Sequence, residues 1–340
     1  MFKPDFERNT LRILQGQLPE RPALFELFLN DAYYARLTGH PPKSDDPRDY
    51  AEFVAEAMGS VGYDYASVVA SSFGFKTVSR DHKDTTSLNA GFVITDRESF
   101  ERYQWLDPDA FDTSAVETAH TWLPEGMKLM VRGPGGVLEN IISLMGYDNL
   151  CLLLHDDPEL VKAVADKVGS SLVKYYEGIV GCEGVGFLCS NDDWGFNTQT
   201  MLSPADMRRY IFPWHKRIVD VAHKAGKPCI LHSCGYFGDV IEDVIEDMCY
   251  DGRHSYEDII CPVEEAYERL AGRIAVLGGI DMDFMVRHSP EEIHARSTAM
   301  LERSHGRGYY FLGTGNSVPE YVPFDNYMAM VNAAHDWRDD

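Results

Sequence analysis

The chain is short of positive charge: 31 lysines and arginines stand against 54 aspartates and glutamates, a formal net charge of −23. No basic cluster interrupts that surplus. Such a field repels nucleic acid and anionic membrane and disfavours polyanionic ligands. Apolar runs stay far below the ~20 residues that a membrane span requires. The beginning, Met1-Phe-Lys-Pro-Asp-Phe-Glu-Arg-Asn9, has no apolar core of a secretion signal. The seven cysteines are odd in number and show no disulfide spacing, which suits a reducing cytoplasm. No Gly-x-Gly-x-x-Gly follows an early strand, which argues against a dinucleotide fold. No partner that is a nucleic acid or a membrane is therefore expected.

What is present is an alternation of short apolar runs with longer amphipathic ones. Strands are expected at Pro22–Phe28, Tyr65–Ala70, Met127–Val131, Gly184–Ser190, Cys229–His232, Gly252–Tyr256, Ile274–Gly278 and Gly308–Leu312. Helices are expected from Pro158, from the Ser203-Pro-Ala-Asp206 cap toward Ala225 with Gly226 as its stop, and from Ser289. Strands alternating with helices predict a parallel sheet with crossover helices. About eight of them, in 340 residues, predict an α/β fold of the (β/α)8 TIM-barrel type. With no linker and no repeat, residues 1–340 read as one domain, in which 1–60 form an N-terminal extension and the first strand.

In such a barrel the chemistry collects at the C-terminal ends of the strands. Polar residues do follow the apolar runs: Asp192 and Asp193, His232 and Cys234, His254 and Glu257, Asp281, Asn316. Turns favour Asp and Asn on their own account, so this pattern alone does not decide. The sharpest feature is His232-Ser-Cys-Gly235. Side chains two apart on extended backbone share a side, imidazole and thiolate together suit zinc, and a glycine permits a sharp turn after them. The bland alternative is a core histidine beside a small buried thiol. A catalytic zinc takes three protein ligands, and Glu257 is the expected third, with His254, Asp193 and Cys261 as rivals. Asp193 either orients a ligand or caps a turn; Asp192 reads as structural. Arg132-Gly-Pro-Gly-Gly136 lacks the Gly-Lys-Ser/Thr ending of a phosphate loop and reads as a tight turn. The glycines of Gly278-Gly-Ile-Asp281 permit close approach of a ligand to Asp281.

The order Gly133-Pro-Gly, Asp156-Asp-Pro-Glu-Leu160, Asn191-Asp-Asp-Trp-Gly195, His232-Ser-Cys-Gly235, Leu277-Gly-Gly-Ile-Asp281 and Pro323-Phe-Asp-Asn326 resembles the uroporphyrinogen decarboxylase superfamily, from about residue 125 onward. That resemblance implies a (β/α)8 barrel and one of two activities. True decarboxylases carry an N-terminal Arg-Gln-Ala-Gly-Arg stretch, whereas this chain reads Pro22-Ala-Leu-Phe-Glu-Leu-Phe-Leu-Asn-Asp31 there. His-x-Cys-Gly instead resembles the zinc-dependent methyltransferase branch, which works with corrinoid proteins. The resemblance implies zinc on His232 and Cys234, with Glu257 where a related methionine synthase places a glutamate ligand. A final Cys of the thiol-activating members is replaced here by Asn316, which turns the expectation toward a small methylated donor of the methoxy or methylamine kind. The expected reaction passes its methyl group to a corrinoid (cobalamin) carried by a partner protein. Asp193, His254 and Asn316 are the expected catalytic residues and Asp281 the expected cofactor contact. A homodimer is one option that the sequence leaves open. Alternatives are a metal-free decarboxylase and a non-catalytic ligand-binding barrel.

Overall fold

A computed structural model describes residues 3–77 and 87–337. Seven strands form one sheet: β1 (Tyr65–Val69), β2 (Lys128–Arg132), β3 (Val185–Asn191), β4 (Cys229–His232), β5 (Gly252–His254), β6 (Ala275–Leu277) and β7 (Tyr310–Phe311). Their spatial order is their sequence order and every pairing is parallel. Successive parallel neighbours joined by helices arrange an α/β fold that fits a TIM-like barrel. The strands are buried on both faces, β3 and β4 almost throughout, which is why they read as continuous apolar runs rather than alternating ones.

The expected first strand, Pro22–Phe28, is not a strand. It makes only an isolated parallel bridge, Leu24 to Leu312, with Phe25 N donating to Leu312 O at 2.8 Å and Leu312 N to Ala23 O at 2.9 Å. On its other side, side chains replace the backbone ladder: Tyr65 Oη donates to Glu26 O at 2.7 Å, and Ser67 Oγ donates to Leu27 O. The segment thus touches β7 by backbone and β1 by side chains. The physical reason is that the backbone of Glu26 and Leu27 is bonded to the Tyr65 and Ser67 side chains, and the Glu26 carboxyl takes the N–H of Thr314, so these groups do not enter a ladder.

The helices follow their start signals. Asp157 caps Pro158–Ile179, longer than its opening motif, and Ser289 with Glu292 forms a reciprocal capping box for Pro290–Ser304. Ser203 caps a helix that begins at Pro204 and, after one wider π turn at Met207–Ile211, runs from Phe212 to Lys224. Among the described residues no single helix is long and apolar enough to cross a membrane; only the bent pair Val137–Met145 and Tyr147–Asp156 reaches that length and composition together.

Candidate functional site

The C-terminal ends of β3 and β4 are tied together by backbone. Asp192 N donates to His232 O at 2.9 Å, Gly195 N to Cys234 O at 3.3 Å and Tyr236 N to Phe196 O at 2.7 Å. Two glycines make this approach sterically feasible. Gly235 has φ +82, and a Cβ there would strike the backbone of Gly195; a Cβ on Gly195 would strike the backbone of Gly235 and Tyr236. The result presents Asp193 beside Cys234, whose N–H donates to Asp193 Oδ1 at 2.9 Å.

His232, Cys234 and Asp193 form the one group of potential metal donors found among the described residues, with all three donor atoms within 4.8 Å of one another. His232 Nε2 lies 3.6 Å from Cys234 Sγ and 4.0 Å from Asp193 Oδ1. Glu257, the expected third ligand, is outside that group. Its carboxylate lies 3.4 Å from the N–H of Gly235 and lines a cavity of about 800 Å3 with Cys234, Asp281 and Asn316. The sequence spacing placed Glu257 on the neighbouring loop correctly, but the zipped β3–β4 turns bring Asp193 nearer.

The protons around His232 are arranged by what lies behind it. His254 is fully buried, and its Nε2 sits 3.1 Å from the carbonyl of Thr314. A carbonyl only accepts, so that nitrogen carries the hydrogen. Burial holds the proton affinity of His254 down to about 3, so the ring is neutral and its Nδ1 is an acceptor. His232 Nδ1 lies 2.8 Å from it and must donate. His232 Nε2 is left with a bare lone pair facing Cys234 and Asp193. Burial first, then His254, Arg253 and Arg132, keeps His232 unprotonated, with its pKa well below the usual imidazole range. Hydrogen bonding of this kind fixes the tautomer of metal-binding histidines. His254 is thus sealed behind His232, not presented to the cavity as the proton donor the sequence suggested.

Burial and the adjacent Asp193 push the Cys234 thiol up, and burial raises Asp193. A divalent cation held by the three donors would reverse the rise at Cys234 and Asp193, because its charge favours the deprotonated thiol and carboxylate. Asn316 Nδ2 donates to Cys234 Sγ at 3.2 Å, so the amide does meet the sulfur. Asp281 caps the helix at Met282–Arg287: its Oδ1 accepts from Asp283 N and Phe284 N, and its Oδ2 from Asp258 N at 2.9 Å. Both oxygens are engaged by backbone, although the residue lines the large cavity. Asp192 is wholly buried and accepts from Leu138 N and Glu139 N at 2.9 Å each and meets His215 Nε2 at 2.9 Å. It fills the helix N-terminus after Gly136, which leaves the Gly133–Gly136 turn no anion site.

Three participants escaped sequence reading. Glu139 lines a second cavity of about 300 Å3 together with Asp193 and Cys234, and burial, aided by the charges of Asp192 and Asp193, lifts its pKa to about 8. Arg253 is fully buried, with no carboxylate partner among the described residues. It lies 3.5 Å over the Phe237 ring and donates to Ser255 O at 2.5 Å and Ser233 O at 3.0 Å, which fixes the loops after β4 and β5. Glu26, beneath Thr314, is the third. A glutamate inside a helix or an apolar run carries no motif; only a partner from a distant segment marks it.

The family model described as "Uroporphyrinogen decarboxylase (URO-D)" matches residues 65–337. Uroporphyrinogen decarboxylases of Synechococcus sp. (strain CC9605) and Anaeromyxobacter sp. (strain Fw109-5) are 28% and 26% identical, over 56% of this chain and 52% of theirs in both cases. The chain thus spans about half the length of the curated relatives it matches. A methyltransferase from Methanosarcina mazei has a similar fold, with a TM-score of 0.71 at 14% identity, over 98% of this chain and 99% of that one.

Proposed function

This chain belongs to the uroporphyrinogen decarboxylase family, and from that premise we propose that it is a zinc-dependent methyltransferase. It takes a methyl group from a small methylated donor of the methoxy or methylamine kind and passes it to a corrinoid protein. The observation that carries the reading is the cluster of imidazole nitrogen, thiol sulfur and carboxylate oxygen at one rim of the sheet. That mixed donor set suits zinc, and a three-ligand set is the composition of catalytic sites. His232, Cys234 and Asp193 would hold the ion, with Glu257 a further carboxylate beside Gly235. When bound, zinc supplies Lewis acidity that makes a poor heteroatom leaving group depart.

The chain's own residues do the rest. His254 holds His232 in the tautomer whose Nε2 lone pair faces Cys234. Asn316 holds the sulfur by its amide. Glu139 keeps its proton at neutral pH and lines the cavity that Cys234 and Asp193 share, so it is the group placed to protonate a departing heteroatom. The corrinoid arrives on a partner protein docked at the C-terminal ends of the strands. The fold likeness to a protein called a methyltransferase supports this reading.

A decarboxylase is the second reading, and the names of the curated relatives favour it. Against it stand the absence of arginines at 22–31 and the acidic surplus. The two separate on zinc. Purified protein is expected to contain about one zinc per chain by elemental analysis, and His232→Ala or Cys234→Ala to lose both the metal and methyl transfer to cob(I)alamin. Full zinc retention by either variant refutes the site; release of CO2 by zinc-free protein favours the decarboxylase.

A further inference from the structure

Behind the donor cluster two glycine-rich turns meet. Leu277-Gly-Gly-Ile-Asp281 runs out of β6, and Gly313-Thr-Gly-Asn316 follows β7. They are tied by backbone: Gly279 N donates to Thr314 O at 2.9 Å, Ile280 N to Gly313 O at 3.0 Å and Gly315 N to Ile280 O at 2.7 Å. Only a glycine leaves room for this approach at Gly278, which has φ +68; a Cβ there would strike Thr314 O and stand 3.2 Å from the His254 ring. At the junction sits Thr314, fully buried.

Every polar group of Thr314 is committed. Its N–H donates to Glu26 Oε1 at 2.9 Å, and its Oγ1 lies 2.6 Å from Glu26 Oε2. Its carbonyl accepts from His254 Nε2 at 3.1 Å, and His254 Nδ1 meets His232 Nδ1 at 2.8 Å. Its hydroxyl reaches the carbonyl of Asn316 at 2.5 Å, and the Asn316 amide meets the Cys234 sulfur at 3.2 Å. One threonine thus stands two hydrogen bonds behind the imidazole by one route and two behind the thiol by another. Glu26 anchors it. Among the described residues both oxygens of that carboxyl go to Thr314, and the neighbouring Phe25 ring packs on His254 at 4.9 Å between centres. Burying a carboxyl in an apolar segment costs free energy that its hydrogen bonds offset only in part. Packing alone would be served by an apolar residue of the same size.

We propose that Glu26 and Thr314 are positioning residues for the metal site: together they fix the His232 nitrogen and the Cys234 sulfur in place before an ion arrives. This rests on the zinc reading and extends it to residues that touch neither ion, donor nor corrinoid. Groups held in their bound arrangement lose less freedom on binding, so a preset pair of ligands binds more tightly than a loose one. Because both routes start at Thr314, releasing that residue loosens the imidazole and the sulfur together.

The test measures zinc affinity of the full chain by chelator competition, and ligand geometry by visible absorption of the Co(II)-substituted protein. Thr314→Val keeps the volume and removes the hydroxyl; Glu26→Leu keeps an apolar filling and removes both oxygens. Each is expected to weaken zinc binding about tenfold and to shift the Co(II) bands. Thr314→Ser and Glu26→Gln retain the hydrogen bonds and are expected to keep the parent's affinity and spectrum. Residues that served stability alone would lower the unfolding temperature in Thr314→Val and Glu26→Leu and leave affinity and spectrum untouched; that result overturns the proposal. An equal loss in the conservative pair overturns it as well, since the hydrogen bonds would then not be the cause. Should one of the two disruptive variants fail to fold, the other decides. A parent chain that takes up neither zinc nor Co(II) refutes the zinc reading itself, whereas a parent that binds both while all four variants match it refutes this proposal alone.

Discussion

Replacing Glu26 with glutamine is expected to change how stability depends on pH. Glu26 is fully buried; its carboxyl oxygens lie 2.9 Å from Thr314 N and 2.6 Å from Thr314 Oγ1. Thr314 Oγ1 is also 2.5 Å from the carbonyl of Asn316. A hydroxyl has one hydrogen, and a carbonyl can only accept it, so the hydrogen on Thr314 goes to Asn316 and the short contact to Glu26 must be donated by Glu26. That requires a protonated carboxyl. Burial supplies it, raising the Glu26 pKa from 4.5 to about 8, against the opposing hydrogen bonds of Thr314. The folded pKa is thus above the unfolded one. The folded chain binds this proton more tightly, so the contribution to stability is complete below pH ~4.5 and is lost as pH rises toward about 8. The slope is about 1.4 kcal/mol per pH unit over that window, and the total is on the order of 4–5 kcal/mol. Glutamine cannot titrate but keeps an oxygen for Thr314 N and an N–H for Thr314 Oγ1. Urea unfolding of both proteins at pH 5, 6, 7 and 8 reads the difference directly, because the rest of the chain's charge cancels between them. The stability of Glu26→Gln relative to the parent is expected to rise steadily with pH. A pH-independent difference would falsify the protonated-carboxyl argument, whatever its sign.

Removing the acceptor behind the site is expected to act through His232. His254→Ala leaves His232 Nδ1 without its partner, and zinc affinity in a chelator competition should fall about 10- to 100-fold; an unchanged affinity would show that the tautomer is held by something else. Gly235→Ala forces a side chain into backbone at φ +82, and a loss of about 2 kcal/mol or more is expected in thermal or urea unfolding. Retained stability and retained zinc together would refute the claim that the β3 and β4 turns must touch. The zinc contents of His232→Ala and Cys234→Ala complete the set with the outcomes stated above.

Much of the frame was legible because periodicity and turn chemistry are local. Apolar runs flanked by Gly, Asp and Asn marked all seven strands, and Ser203 and Ser289 marked the starts of their helices. The rule that polar residues collect after barrel strands led to His232, Cys234, Asp193 and Asn316, and these four do meet. The same rule does not say what each neighbour does. Asp281 looked like a ligand contact and is a helix cap, since an aspartate after a strand serves either purpose.

Local pattern along the chain, by itself, determined that strands alternate with helices, that the interior is apolar, and that an imidazole and a thiol two residues apart end β4. Only the tertiary structure decided that Asp193, from the turn after β3, joins them more closely than Glu257 does, because the paired glycines let two turns touch. It alone set His254 behind His232, with Glu26 two bonds further back across a gap of 288 residues to Thr314. It alone left Arg132 with no carboxylate of the described residues within ion-pair distance. Those outcomes depend on which segments pack against which; partner distance in space has no trace in partner distance along the chain.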